Sequence, residues 1–166
     1  MNPIQINLRD FFLKGQFDSV KIGQTKDYII NNFAQPDDDS DMGYNMRIFS
    51  YGCIEFHFEF DVLFLIWCDN LTYLKNTKSI KFDKWIIKDL AKMTLPNVLK
   101  ILNSEKSNYS VKFDEKLKNA IIKIKPSNVN LWFEPMKEEN DENPNNYKLI
   151  AFGLSDKDYD SFENNF

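Results

Sequence analysis

The chain has little of what most catalytic sites are built from. Its 166 residues hold one histidine, His57, and two cysteines, Cys53 and Cys68. A histidine works as a general base only beside a nucleophile and an orienting group, and none stands near His57. With no CxxC and no HxxxH spacing there is no zinc pattern, and no metal or cofactor is expected. Phosphate-cradling glycine loops are missing too, since neither GxGxxG nor GxxxxGK occurs. A hairpin pairing 53–58 with 63–68 would set the two cysteines opposite one another. A reducing compartment makes them free thiols, packed as small apolar groups. Long apolar runs are absent: nothing approaches the roughly 20 residues of a membrane span. No basic segment followed by a long apolar one opens the chain. A cytoplasmic, non-enzymatic protein without a membrane role is therefore expected, as a monomer.

Aromatic residues are plentiful. Hydrophobic residues make up 43% of the chain, with 15 Phe, 7 Tyr and 3 Trp among them. Such a composition favours β structure and a large core. One domain spanning residues 1–166 could bury about 70% of its unfolded surface. Within it the pattern occurs twice. Thr25 and Thr94 each open an apolar helical stretch, and superposing them aligns Ile29 with Val98 and Phe33 with Leu102. Superposing Gly52 on Ser127 aligns Ile54, Phe56 and Phe58 with Val129, Leu131 and Phe133. Residues 1–74 and 75–166 therefore read as two units, each a helix followed by a β-hairpin.

The elements follow from periodicity and breakers. Residues 8–14 read as a short helix stopped at Gly15, and 25–34 as a helix ended by Pro36. Residues 37–43 read as a solvated acidic loop and 70–80 as a connector. Asp83 can cap a helix over 84–91, with Trp85, Ile86 and Leu90 inward, and a further helix starts after Thr94. Strands are expected near 46–50, 53–59, 63–69, 108–113, 118–124, 128–134 and 147–154. Residues 138–146 read as a polar loop and 156–166 as an acidic tail, in which Phe162 and Phe166 could dock.

Charge is arranged in blocks. The net charge is −4 overall, and it divides into −6 over residues 1–74, +8 over 75–125 and −6 over 126–166. Asp37, Asp38, Asp39 and Asp41 resemble a calcium loop only superficially. Its sixth position is Met42 and its twelfth Ile48, where glycine and glutamate belong. Lys112, Lys116, Lys118, Lys123 and Lys125 could track a phosphate backbone. However, Arg9 and Arg47 are the only arginines, and neither lies near these lysines. Arginine is the usual bidentate reader, so nucleic acid is not the expected partner. A lysine-studded edge strand that resists aggregation accounts for the cluster equally well. A protein partner remains. Alternation sets Glu55, His57 and Glu59 on one face of their strand, and Asn130, Trp132 and Glu134 on one face of theirs. An aromatic within an acidic field is the make-up of an interface hot spot.

Residues 20–37, with Gly23, Thr25 and Pro36 in place, resemble the opening of the SmpA/BamE and β-lactamase-inhibitor-protein type of unit. Ala34 stands where that family often has glycine. Tyr51 to Phe58 resembles the strand that follows in small cytoplasmic immunity proteins of bacterial contact-dependent inhibition and polymorphic toxin systems. The resemblance covers roughly residues 8–70 and, more faintly, 86–155. It implies an α+β fold of two helix-plus-β-hairpin units sharing an antiparallel sheet, with helices packed on one face. The outer-membrane members are lipoproteins, and no lipobox is seen here. The function implied is that of an immunity protein neutralising a cognate toxin domain, a nuclease being one candidate. The partner-binding residues would be Asp37, Asp38, Asp39, Asp41, Glu55, Glu59 and Trp132. A nucleic-acid accessory protein and a small regulatory or scaffold domain are the alternatives.

Overall fold

A computed structural model describes residues 2–135 and 143–156. The expected loop at 138–146 lies partly outside that range, and the tail, with Phe162 and Phe166, lies outside it beyond Asp156.

The expectation of two helix-plus-β-hairpin units is overturned by the sheet. Strands β2 (Asp38–Gly43), β3 (Met46–Tyr51), β4 (Ile54–Glu59) and β5 (Val62–Cys68) form one meander. Strands β7 (Tyr109–Asp114), β8 (Asn119–Ile124), β9 (Val129–Glu134) and β10 (Lys148–Ser155) form another. They join through β5 and β10 into a single eight-stranded sheet of order β2-β3-β4-β5-β10-β9-β8-β7. Every neighbouring pair in it is antiparallel. Each half thus contributes a four-stranded meander to one shared sheet, and not a hairpin of its own. The strand missed by the sequence is 38–43, expected within a solvated acidic loop, because its Asp-Asp-Ser-Asp has no apolar alternation. As an edge strand with mostly exposed side chains, β2 needs none.

The aligned positions occupy corresponding places. Helix α2 (Lys26–Asn32) precedes the first meander and α3 (Leu95–Ser104) the second, while α1 (Leu8–Lys14) lies ahead of both. Thr25 forms a bridge to Val62 at the start of β5, and Thr94 forms one to Lys148 at the start of β10. The Leu63 amide donates to the Gln24 carbonyl at 2.8 Å, and the Leu149 amide to the Met93 carbonyl at 2.9 Å. Each helix is therefore tied by its entering residue to the last strand of its own meander. The Thr25 hydroxyl also accepts from the Tyr28 amide, as an N-cap should, whereas Thr94 makes no such bond.

Two further corrections concern the segments between the meanders. Residues 84–91 form no α-helix but two 3-10 turns, Trp85–Lys88 and Leu90–Lys92. The extended Asp89 between them interrupts the i→i+4 ladder. The connector at 70–80 runs into β6 (Ile80–Asp83), which pairs in parallel with β1 (Ile4–Asn7).

The buried face of the sheet presents Phe56, Phe58, Leu131, Phe133 and Phe152, and buried side chains of all three helices join them in one cluster. Phe152 meets Phe11 and Phe12 of α1 at ring-centroid distances of 5.8 and 5.2 Å, both edge-on. Gly15 closes α1 in the left-handed region at φ 70°. A Cβ there would lie 2.9 Å from the Ser127 carbonyl, so only glycine lets the helix end against the β8–β9 turn.

Candidate functional site

With the helices on one face, the other face of the sheet carries the alternate residues. In β4 these are Glu55, His57 and Glu59, and in β9 Asn130, Trp132 and Glu134. Strand β5 departs from strict alternation. Phe58 pairs with Leu63 but His57 with Leu65, so Phe64 is the extra residue of a bulge. Leu63, Ile66 and Cys68 are buried in the core, whereas Phe64, Leu65 and Trp67 are half-buried toward the open face.

That face curls into a groove of about 650 Å³. Its floor is Phe64, Leu65 and Trp67 of β5 with Trp132 of β9. Its walls are Met46 and His57 on one side and Ser110, Lys112, Ile121 and Lys123 on the other. Met46 and Ser110 lie on strands six apart in the sheet order. A flat sheet would hold such strands about 29 Å apart, so one groove containing both requires curvature.

The centre of the floor is two tryptophans. The Trp67 and Trp132 rings meet edge to face with centroids 4.7 Å apart and planes at 69°. Trp67 lies across Gly153 of β10, its partner in register. A Cβ on Gly153 would approach Trp67 Cε3 to 2.7 Å. The glycine is where it is because the ring needs the space.

Behind the wall from the first half stands a carboxylate, Glu55, which pairs with Trp67 in register. His57 Nε2 and Glu55 Oε2 are 2.8 Å apart, joining two residues of one strand face. Among the described residues, the hydrogen bond shown for the His57 ring is the one with Glu55. Among the described residues no group of His, Cys, Asp and Glu could hold a metal ion.

The expected site residues divide into three sets. Trp132, Glu55 and Glu59 share the open face, Trp132 in the floor and Glu59 exposed toward the strand end. Asp38 belongs beside them by register, since it pairs with Ser50 and Ser50 with Glu55. Asp39 and Asp41 project to the other side of the edge. Arg47 Nη2 donates to Asp39 at 3.0 Å, and Asp41 accepts from the Gly43 amide at 2.8 Å. Asp37 is an internal fastener. Its carboxylate accepts from the Gly52 amide at 2.7 Å and the Ser79 hydroxyl at 2.8 Å, tying the β3–β4 turn to the segment entering β6. Asp37→Ala is therefore expected to lower stability by about 1–2 kcal/mol, because the Ser79 hydroxyl is buried and loses its acceptor. Urea unfolding would measure this, and an unchanged midpoint would return Asp37 to the surface set.

Trp67 and Gly153 were not singled out by the sequence reading. The apolar run Val62–Cys68 hid the first, since the bulge that turns Trp67 outward leaves no mark in an uninterrupted apolar stretch. The second had a signal, a glycine inside the apolar strand Ala-Phe-Gly-Leu.

Exposed apolar groups also gather at two hairpin tips. Tyr44 is 98% exposed and Phe60 69%. Both hold positive φ, as do Asn45 and Asp61 after them, so each tip is a two-residue turn of the mirror-image type. The Phe60 amide donates to the Asn45 carbonyl at 3.0 Å, which places the tips side by side.

No family model matches the chain, and no curated protein does. Among solved structures the chain is similar to an extracellular protein containing an SCP domain from Bacillus anthracis str. Ames, at 8% identity and a TM-score of 0.38. The match covers 83% of this chain and 45% of that one, so this chain spans less than half of that protein's length.

Proposed function

We propose that this chain is a binding protein that takes a protein partner on the open face of its eight-stranded sheet. Its role is that of an immunity protein, occupying a toxin domain and so neutralising it. The observation that carries the reading is the paired Trp67–Trp132 floor in an open groove. Large amphipathic rings at the centre of a concave surface are what partner side chains dock against. Glu55 beside the groove, with Asp38 and Glu59 nearer the edge of the same face, suits a basic partner, and complementary charge would speed encounter. The exposed tips at Tyr44 and Phe60 extend the same half of the molecule.

Co-expression with the toxin domain encoded beside it, in a sensitive cell, tests the role, and titration calorimetry tests the contact. Trp132→Ala is expected to weaken binding by about 2 kcal/mol, mainly through faster dissociation. Changing the open-face acids Asp38, Glu55 and Glu59 to their amides is expected to slow association and flatten its salt dependence. A wild-type chain that neither binds nor protects ends the immunity reading.

One observation favours a second reading. Lys112 and Lys123 share the groove with both tryptophans. Cations alongside stacking rings are how single-stranded nucleic acids are held. Glu55, bonded to His57 at the groove's opposite side, argues against it, because a carboxylate there would repel phosphates. Salt-dependent binding of an oligonucleotide that Trp132→Ala abolishes would favour this reading over the protein partner.

A further inference from the structure

The two cysteines are used by nothing described above, and the fold brings them together from separate elements. Cys53 sits in the turn entering β4, and Cys68 ends β5. Their sulfurs are 3.6 Å apart, the Cys68 thiol donating to Cys53 Sγ. A disulfide needs about 2.05 Å between sulfurs, so bridging asks for a movement of roughly 1.5 Å. The pair is also unequal. Cys68 is fully buried, whereas Cys53 is only partly buried.

We propose that Cys53 and Cys68 form a thiol–disulfide exchange site, in which a low-molecular-weight disulfide oxidises the pair to a bridge that staples the start of β4 to the end of β5. The order of events follows from access and from the hydrogen bond. The bond from Cys68 holds the Cys53 thiol below its ordinary range, with the Lys84 ammonium adding in the same direction. That same bond, together with burial, pushes the Cys68 thiol up. Cys53 is therefore the attacking thiolate and Cys68 the resolving thiol. Cys53 Sγ attacks one sulfur of the reagent disulfide, whose S–S bond breaks and releases one thiolate. Cys68 then loses its proton and attacks Cys53 Sγ, breaking the mixed disulfide and releasing the second thiol. Two cysteine thiols are oxidised by two electrons, the reagent is reduced to two thiols, and the two cysteine protons end on them.

The bridge would close the β4–β5 hairpin on itself. Cys68 adjoins Trp67, whose ring lies on the opposite face in the groove floor, so the staple fixes the strand that carries most of that floor. The site needs no partner and stands whether or not the groove binds a protein.

Incubating the folded full-length chain with oxidised glutathione tests it, followed by intact mass and peptide mapping. The expected product has lost two hydrogens, shows a cross-link between the peptides holding Cys53 and Cys68, and reverts to two thiols in dithiothreitol. Its apparent Tm should rise by several degrees, since the link removes freedom from the unfolded chain. Cys68→Ala should instead keep one glutathione on Cys53, and Cys53→Ala should stay unmodified while folded. A wild-type chain that keeps both thiols alkylatable, or that accumulates a Cys53–glutathione adduct without closing the bridge, overturns the proposal.

Discussion

Phe56→Ala is expected to lower the unfolding free energy by about 3–5 kcal/mol, measured by urea denaturation followed by circular dichroism. Phe56 is fully buried at the middle of β4. Its ring meets Phe17 edge-on at 5.6 Å and Tyr51 at 5.1 Å. Phe49 and Ile66 are its register neighbours on either side. All four neighbours stand on strands or a bridge held by backbone bonds, so they cannot collapse into the space a methyl would leave. The cavity contribution therefore adds to the lost burial. Phe133 of β9, the counterpart of Phe58, is also fully buried, and Phe133→Ala is expected to fall in the same range. Domains of this size are stable by about 5–15 kcal/mol, so either change removes a large part of the margin. A loss under about 1 kcal/mol at both sites would mean that the faces of β4 and β9 are reversed.

That face assignment was legible because alternation in β4 and β9 is unbroken. Ile54, Phe56 and Phe58 alternate with charged residues, and Val129, Leu131 and Phe133 with Asn130 and Trp132. Period two then decides which side faces the core. The places where the reading failed share a cause. Strand β2 carries aspartates because an edge strand with both faces wet has no core pattern to show. The segment 84–91 has helical spacing in Trp85, Ile86 and Leu90. Even so, Trp85 sits at φ 44° and Asp89 is extended, and the chain turns twice without propagating a helix. Strand β1 is four residues long and gains its order from a parallel partner 76 positions away, which no local window can register.

The candidate site divides along the same line. Trp132 stood out because it interrupts a polar face, and it is in the groove floor. The acidic residues stood out by composition alone, and composition does not say which way a side chain points. Asp37 turned out to hold a turn and Asp39 to hold Arg47, while Asp38 and Glu55 share the open face. Tertiary register made that division. The opposite charges of the halves also take on geometry here: the acidic block edges the sheet at β2, and Lys112 edges it at β7. A partner lying across the groove would meet both signs, which sets its orientation more than its affinity.

Gly153→Val is expected to cost about 3 kcal/mol, at the upper end for overpacking a core, and to disturb the groove floor at the same time. Gly153 is not in the left-handed region, so backbone freedom does not explain it. The space above it does. A Cβ would stand 2.7 Å from Trp67 Cε3 and 3.2 Å from the Ile66 carbonyl. The indole is the more movable of the two, so relief comes by swinging Trp67 away from β10 and out of its edge-on contact with Trp132. Removing the ring should therefore remove most of the penalty. In a Trp67→Ala background the same Gly153→Val change is expected to cost less than about 1 kcal/mol, a coupling typical of side chains in direct contact. Tryptophan emission should shift in the single variant, since Trp67 leaves a half-buried seat. If the groove is the binding surface, Gly153→Val should weaken the partner about as much as Trp132→Ala, although residue 153 makes its effect from beneath the floor. Persistence of the full penalty without Trp67 would show that the Ile66 carbonyl, and not the indole, is what the glycine accommodates. The floor would then owe its shape to β5 alone.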